Sequence, residues 1–536
     1  MSLTLPEELT YESLCSALAN DYASQGEIRT RRIAEYLYNY LCTLGSGSRD
    51  SKSKVRMVVE REYTDADFLD DFAEYYIRCY PNYSRRCKRL HFFKETPLAE
   101  DVFSRLVRGA ATKGEEDAFR ESYLGFVVAR PLPRAVIGRT VLRTYESDGG
   151  RRNYTCTRKY PVNLYGISLS VDSLAFQEQD TVLAACATVA LWSCFQKTAK
   201  LFDTRTPTPA AITTVAGQAI HLGRPIPSHG LISFEMCRAI RHYELEPELI
   251  DLRDRRFRSV PFISLLYGYL WMGLPVILGV EIEKVGRHAI ALTGYSFSRE
   301  RQHKAETIEL AKDKSTQQVP LAGLHISALF GHDDQIGPFS RLKVISPACH
   351  SEGESNTIYL ESTWIDPETK RILKLTPMQV IIPVYHKIRL TFVDVYRWVT
   401  VFLPALRYHF GNIEALEWDV HLTFSNDVKG LMRTSDLRKD AFLESLLVEH
   451  HPRFVWRAIL KFGEIRLVEL LFDATGFARS FPLYRVVWHN EDFASKMKWL
   501  LEHPGLSPIL NEVESLRINS VRFWEFLGLS IARQFD

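Results

Sequence analysis

The chain has 536 residues, of which 46% are hydrophobic, 12% aromatic and 25% charged, a composition that excludes disordered, collagen-like and coiled-coil classes. That length exceeds one ordinary core and, at about 150 residues per domain, points to roughly three. With 67 Lys and Arg against 65 Asp and Glu, the net charge is only +2, so no global field favours nucleic acid or an anionic membrane, and neither partner is expected.

The first residues, MSLTLPEELTYES, lack the basic start and apolar run of a signal peptide. The nine cysteines (15, 42, 79, 87, 156, 186, 194, 237 and 349) are odd in number and lack the short spacings of zinc or redox sites. Reduced thiols and a cytoplasmic location are expected, with no cofactor and no metal. Residues 1–44 carry apolar positions at helical spacing, and GSGSRDSKSK at 45–54 reads as a flexible joint. From 55 to 176 an N-terminal α/β region follows, with VRMVVEREY as a strand, DADFLDDFAEYYIRCY as a helix, and YLGFVVARPLP and IGRTVLRTY as two further strands.

Between 177 and 350 the expected order is helix, helix, helix, strand, strand, with a solvated polar insertion at 298–320. Val260 to Val280 holds no charge and could mimic a membrane span, but Gly273-Leu274-Pro275 cuts it into a helix-like FISLLYGYLWM and a strand-like PVILGVEIE, as in a soluble core. From 351 to 536 a C-terminal α/β domain is expected: a strand in TIYLEST, a long helix across 383–411, strands at 416–424, 454–462, 467–473 and 484–489, then helices. Basic runs at Arg85 to Arg89 and Arg253 to Arg258 read as solvated faces.

The chain has no G-x-S-x-G elbow, phosphate-binding loop, G-x-G-x-x-G or H-E-x-x-H motif. What remains is an ordered set of three side chains. Cys186 opens the apolar helix within QEQDTVLAACATVALWSCFQKTAKLF, where the helix N-terminus and a neighbouring imidazolium favour a thiolate. Upstream, Gln179 can supply an amide that joins the Cys186 backbone N–H in holding an oxyanion, with Gln177 as the fallback donor. His288 opens the second strand of PVILGVEIEKVGRHAIALTGY. Asp333 and Asp334 stand ahead of Gly337-Pro338, where either could orient the imidazole. Singly, each has an ordinary explanation as a core thiol, a structural histidine or turn chemistry; together they point to a nucleophile, a base and an orienting acid.

In these residues the sequence resembles the papain-like cysteine hydrolase superfamily, nearest to the bacteriocin-processing (double-glycine) peptidases. Gln179 and Cys186 resemble the oxyanion glutamine and the nucleophile. Gly230-Leu231-Ile232-Ser233 with helical FEMCRAIRHYELEPELI resembles the intervening helix, and Gly273-Leu274-Pro275-Val276-Ile277 the step into the next strand. His288 to Tyr295 resembles the histidine strand, and Asp333 the acidic residue. The likeness covers residues 177–343. Ala187 stands where the family often has Gly, and Gln179 lies seven residues before Cys186 rather than six.

The resemblance implies an α+β fold. Its papain-like core would pack a helix bearing the cysteine on an antiparallel sheet bearing the histidine and aspartate, flanked by α/β regions. The implied activity is that of a thiol peptidase or isopeptidase acting on a polypeptide substrate; the alternatives are an amine or thiol acyltransferase and an inactive interaction scaffold.

Overall fold

The structure, a computed structural model, describes residues 3–46, 55–80, 82–95, 100–180, 185–217, 230–254, 261–298, 306–309, 316–319, 321–345, 358–366, 368–402, 406, 415–434, 441–476, 481–503 and 520–535. The chain is mixed α+β. It divides into two compact units, each assembled from separate stretches: Met1–Ile250, Gly273–Ser296 and Ala328–Pro383 in the first, and Asp251–Met272, Phe297–Ser327 and Val384–Asp536 in the second.

Near its start the first unit carries three helices, α1 (Tyr11–Leu18), α2 (Gln25–Arg29) and α3 (Arg32–Ser46). The first two start on reciprocal capping boxes, Thr10 with Ser13 and Ser24 with Glu27. An antiparallel sheet then runs in chain order through β1 (Glu7–Glu8), β2 (Val55–Tyr63), β3 (Cys87–Lys94), β4 (Tyr123–Ala129) and β5 (Ile137–Leu142). Its β-branched and aromatic residues suit a pleated, buried surface, and every residue of β4 is buried. Helix α4 (Ala66–Glu74) is capped by Asp65, and α5 (Glu100–Val107) and α6 (Lys113–Ser122) lead into β4.

The short β6 (Arg152–Asn153) and the hairpin β7 (Arg158–Leu164)–β8 (Ile167–Ser173) precede three helices, α7 (Cys186–Phe202), α8 (Pro209–Gly217) and α9 (Ser233–His242). The helix expected to continue through ELEPELI instead ends at His242. Glu244 adopts a left-handed φ of 64°, and the chain turns into β9 (Leu245–Asp251), with Leu245 and Ile250 buried. The expected run of helices followed by strands is thus interrupted. Helix α10 (Phe262–Leu270) then falls in the second unit.

The centre of the first unit is a closed six-stranded antiparallel barrel. Its strands are β10 (Val276–Ile282), β11 (Gly286–Phe297), β14 (Ile326–Asp333), β15 (Gly337–Ile345), β16 (Tyr359–Ile365) and β17 (Ile372–Tyr385), closed by pairing of β10 with β17. The intervening β12 (Glu306–Glu309) and β13 (Thr316–Val319) form a hairpin of their own within the polar insertion, most of whose other residues lie outside those described. Strands from both sides of residue 350 therefore share one barrel. Gly331 permits close strand approach: a Cβ there would lie 2.7 Å from Ile290 Cγ2. Gly273, with φ +81°, makes the turn before β10, where a Cβ would lie 2.5 Å from the Thr155 carbonyl oxygen.

In the second unit a four-stranded antiparallel sheet runs β18 (Leu416–Phe424), β19 (Phe454–Phe462), β20 (Ile465–Asp473) and β21 (Leu483–Trp488). The long helix expected across 383–411 is replaced by the end of β17 and by α11 (Phe392–Thr400). Thr391 and Asp394 cap α11 reciprocally and so fix its start, while 407–414 lie outside the described residues. Among the described residues no helix is long and apolar enough to cross a membrane.

Candidate active site

Cys186 is the first residue of α7, a 17-residue helix. The preceding Ala185 is extended and offers no side-chain cap, so the first-turn N–H groups and the positive end of the helix dipole are left beside the thiol. Helix α7 packs against β10, the barrel strand that pairs with β11 and sets Val280 opposite His288. The imidazole of His288 is buried and stands near enough to the Cys186 side chain for the thiol to raise its pKa. Its Nε2 lies 3.0 Å from Asp333 Oδ1, at the end of β14. Because Asp333 takes Nε2, Nδ1 is the ring nitrogen left for the sulfur.

Asp333 is held on three sides. Its Oδ1 also accepts from the Gln335 backbone N–H at 3.1 Å, and its Oδ2 accepts from Trp364 Nε1 at 2.8 Å. The Trp364 ring stands edge-on to the His288 ring, with centroids 5.6 Å apart at 71°, while the Arg32 guanidinium lies 5.5 Å over the indole. Helix α3 braces the same turn: Tyr36 donates its hydroxyl to the Pro338 carbonyl, 2.8 Å away, and its ring fills the space where a Gly337 Cβ would sit. Trp364, Arg32 and Tyr36 carried no signal in the sequence, since nothing in their local spacing ties them to residues 288 or 333.

The charges are strongly coupled. Burial by itself lowers the affinity of His288 for a proton, but the Asp333 charge, the hydrogen bond that Nε2 donates to Asp333 and the neighbouring Cys186 outweigh it and hold the imidazole pKa well above its ordinary value. Burial raises Asp333 in turn, and the His288 cation reverses this, leaving the carboxyl below its usual range. Asp334 behaves differently. Burial, with Asp333 and Glu178 as like-charged neighbours, pushes it up to about 7 despite the pull of His288. Its Oδ1 is 3.5 Å from His288 Nε2, and neither of its side-chain oxygens has a hydrogen-bond partner. Of the two aspartates the sequence left open, Asp333 is the one hydrogen-bonded to the imidazole.

The glutamines differ too. Gln177 is buried and its Nε2 has no acceptor, whereas Gln179 is only half-buried. The segment before Gln177 is pinned between the two functional elements. Ser193 of α7 donates to the Ala175 carbonyl at 3.0 Å, and His332 Nε2 bonds the Leu174 carbonyl at 3.1 Å. The spare buried donor thus belongs to Gln177, while 181–184 lie outside the described residues.

Burial pushes Cys194 well above the ordinary thiol range and raises Cys237. None of the described cysteines forms a disulfide. Of the basic runs, Arg89 turns inward to pair with Glu60 at 2.8 Å, and 255–260 lie outside the described residues. Among the described residues, the side chains able to ligate a metal together are His288, Asp333 and Asp334, whose ligand atoms lie within 4.8 Å of one another.

The fold and site thus define a mixed α+β protein with a closed six-stranded barrel and a Cys–His–Asp row beside the end of its helix α7. No family model, no curated protein and no solved structure matches the chain.

Proposed function

We propose that this protein is a cysteine-dependent acyl-transfer enzyme with a papain-like core, hydrolysing a peptide or isopeptide bond. The observation that carries the reading is the meeting of a helix-terminal thiol, an imidazole and a carboxylate from positions 186, 288 and 333, the imidazole hydrogen-bonded to the carboxylate with the thiol beside it.

In this reading His288 Nδ1 takes the Cys186 proton and the thiolate attacks a substrate carbonyl, forming a C–S bond as the C=O electron pair moves onto oxygen. The Cys186 backbone N–H and Gln177 Nε2 hold that oxyanion. When it collapses, the C–N bond breaks, the imidazolium gives its proton to the leaving amine, and a thioester remains on Cys186. Water, deprotonated by the same imidazole, then releases the acid and restores the thiol. Asp333 keeps Nε2 protonated and stabilises the imidazolium throughout, without taking the proton.

The test is intact-mass spectrometry after mixing the protein with an activated acyl ester. A single acyl adduct on Cys186 that decays in water, absent from Cys186→Ala, supports the reading; acylation that persists in Cys186→Ala refutes it. Decay chiefly to an amide when an amine is added would instead define an acyltransferase.

A further inference from the structure

Asp334 has no part in that mechanism, yet it is a carboxylate buried to 2% exposure with neither oxygen hydrogen-bonded, and its Oδ1 faces His288 Nε2 at 3.5 Å. A buried carboxylate that makes no hydrogen bond is costly even beside the His288 ring, and a cation could offset its charge. The adjoining Asp333 Oδ1 is 3.0 Å from the same nitrogen. In a tetrahedral zinc site with bonds of about 2.0–2.1 Å, neighbouring ligand atoms stand roughly 3.3 Å apart. The separations of 3.0 and 3.5 Å bracket that value. One imidazole and two carboxylates also form a hard-to-borderline donor set with charge to offset a dication.

We propose that His288 Nε2, Asp333 and Asp334 form an exchangeable site for a divalent transition ion of the Zn2+ class, and that filling it switches off His288 as the base for Cys186. The switching half rests on the function proposed above; the binding half does not. A neutral imidazole has one lone pair and one N–H. Once Nε2 gives its lone pair to the ion, the proton sits on Nδ1, the nitrogen left for the sulfur, which can then donate but not accept. Cys186 is not among the ligands, because among the described residues the side chains whose ligand atoms gather within 4.8 Å are His288, Asp333 and Asp334. Arg32 lies on the Trp364 side of Asp333 and opposes a cation there, which suits reversible occupancy rather than a permanent structural ion.

The experiment titrates the full chain, stripped of metal, with Zn2+ in competition with a chromophoric chelator. It compares the parent with Asp334→Asn, which keeps the side chain's size, and repeats the loading with Co2+. The proposal expects one site, affinity at least tenfold weaker in Asp334→Asn, and tetrahedral Co2+ bands without a thiolate charge-transfer band. Unchanged Zn2+ affinity in Asp334→Asn, or a thiolate-to-cobalt band showing that a cysteine holds the ion, overturns it. These readouts require no turnover, so failure to bind leaves the acyl-transfer reading standing. If Zn2+ binds as expected but does not slow alkylation of Cys186 by iodoacetamide, the site exists and the switch does not.

Discussion

Trp364→Phe isolates one hydrogen bond at the site. Phenylalanine retains an aromatic ring beneath Arg32 and beside His288, but removes the 2.8 Å indole N–H bond to Asp333 Oδ2. A hydrogen bond to a charged group contributes about 1.5–3 kcal/mol, and the loss here leaves a buried carboxylate oxygen unpartnered. Asp333 would then hold its charge less firmly, and the imidazolium of His288, which depends first on that charge, would weaken with it. If the whole bond acts on the imidazolium-stabilised thiolate, the Cys186 alkylation rate falls by roughly 10- to 150-fold at neutral pH. The assay is carbamoylmethylation of Cys186 followed on its tryptic peptide, with Cys194 as a slow internal reference. A variant rate within twofold of the parent, with native circular dichroism, would refute the coupling of Trp364 through Asp333 to the thiol.

Gln177→Ala should reduce turnover of an acyl ester by about 100- to 1000-fold, as expected for loss of one oxyanion donor, with a much smaller effect from Gln179→Ala; the reverse ranking would return the role to Gln179. Trp192, fully buried in α7, should cost about 3–5 kcal/mol on replacement by alanine, read from chemical denaturation. His332 accepts from the Phe339 backbone N–H at Nδ1, so its Nε2 carries the proton toward Leu174, and burial lowers its pKa to about 3. Below pH 6.5 the unfolded chain binds a proton there that the folded chain refuses, so stability falls as pH falls. The loss is about 2 kcal/mol by pH 5. Parent and His332→Gln should therefore diverge by that amount between pH 7 and 5; parallel curves would show that His332 is not held neutral.

Local patterning predicts β18 and β19 closely, because long runs of β-branched and aromatic residues bounded by polar turns have no helical reading. It also finds the break at Gly273-Leu274-Pro275, since that turn is a property of three consecutive residues. It does not find β9, whose LEPELID alternates too weakly to compete with the preceding helix. Nor does it reveal that β17 closes a barrel with β10, a pairing between residues about a hundred positions apart. The same limit governs the site. Cys186 and His288 stand out in the sequence near the start of an element, at the first residue of α7 and the third of β11, but which aspartate holds the ring depends on where the ring sits. Trp364, Arg32 and the spare donor of Gln177 became visible only through contacts that no local pattern encodes.

If the proposed mechanism holds, Cys186 rests as a thiolate beside the His288 imidazolium, and thiolate absorbance near 240 nm at pH 6 is present in the parent and lost in both Cys186→Ala and His288→Phe. Identical spectra for the parent and Cys186→Ala would show a neutral thiol and sink the mechanism.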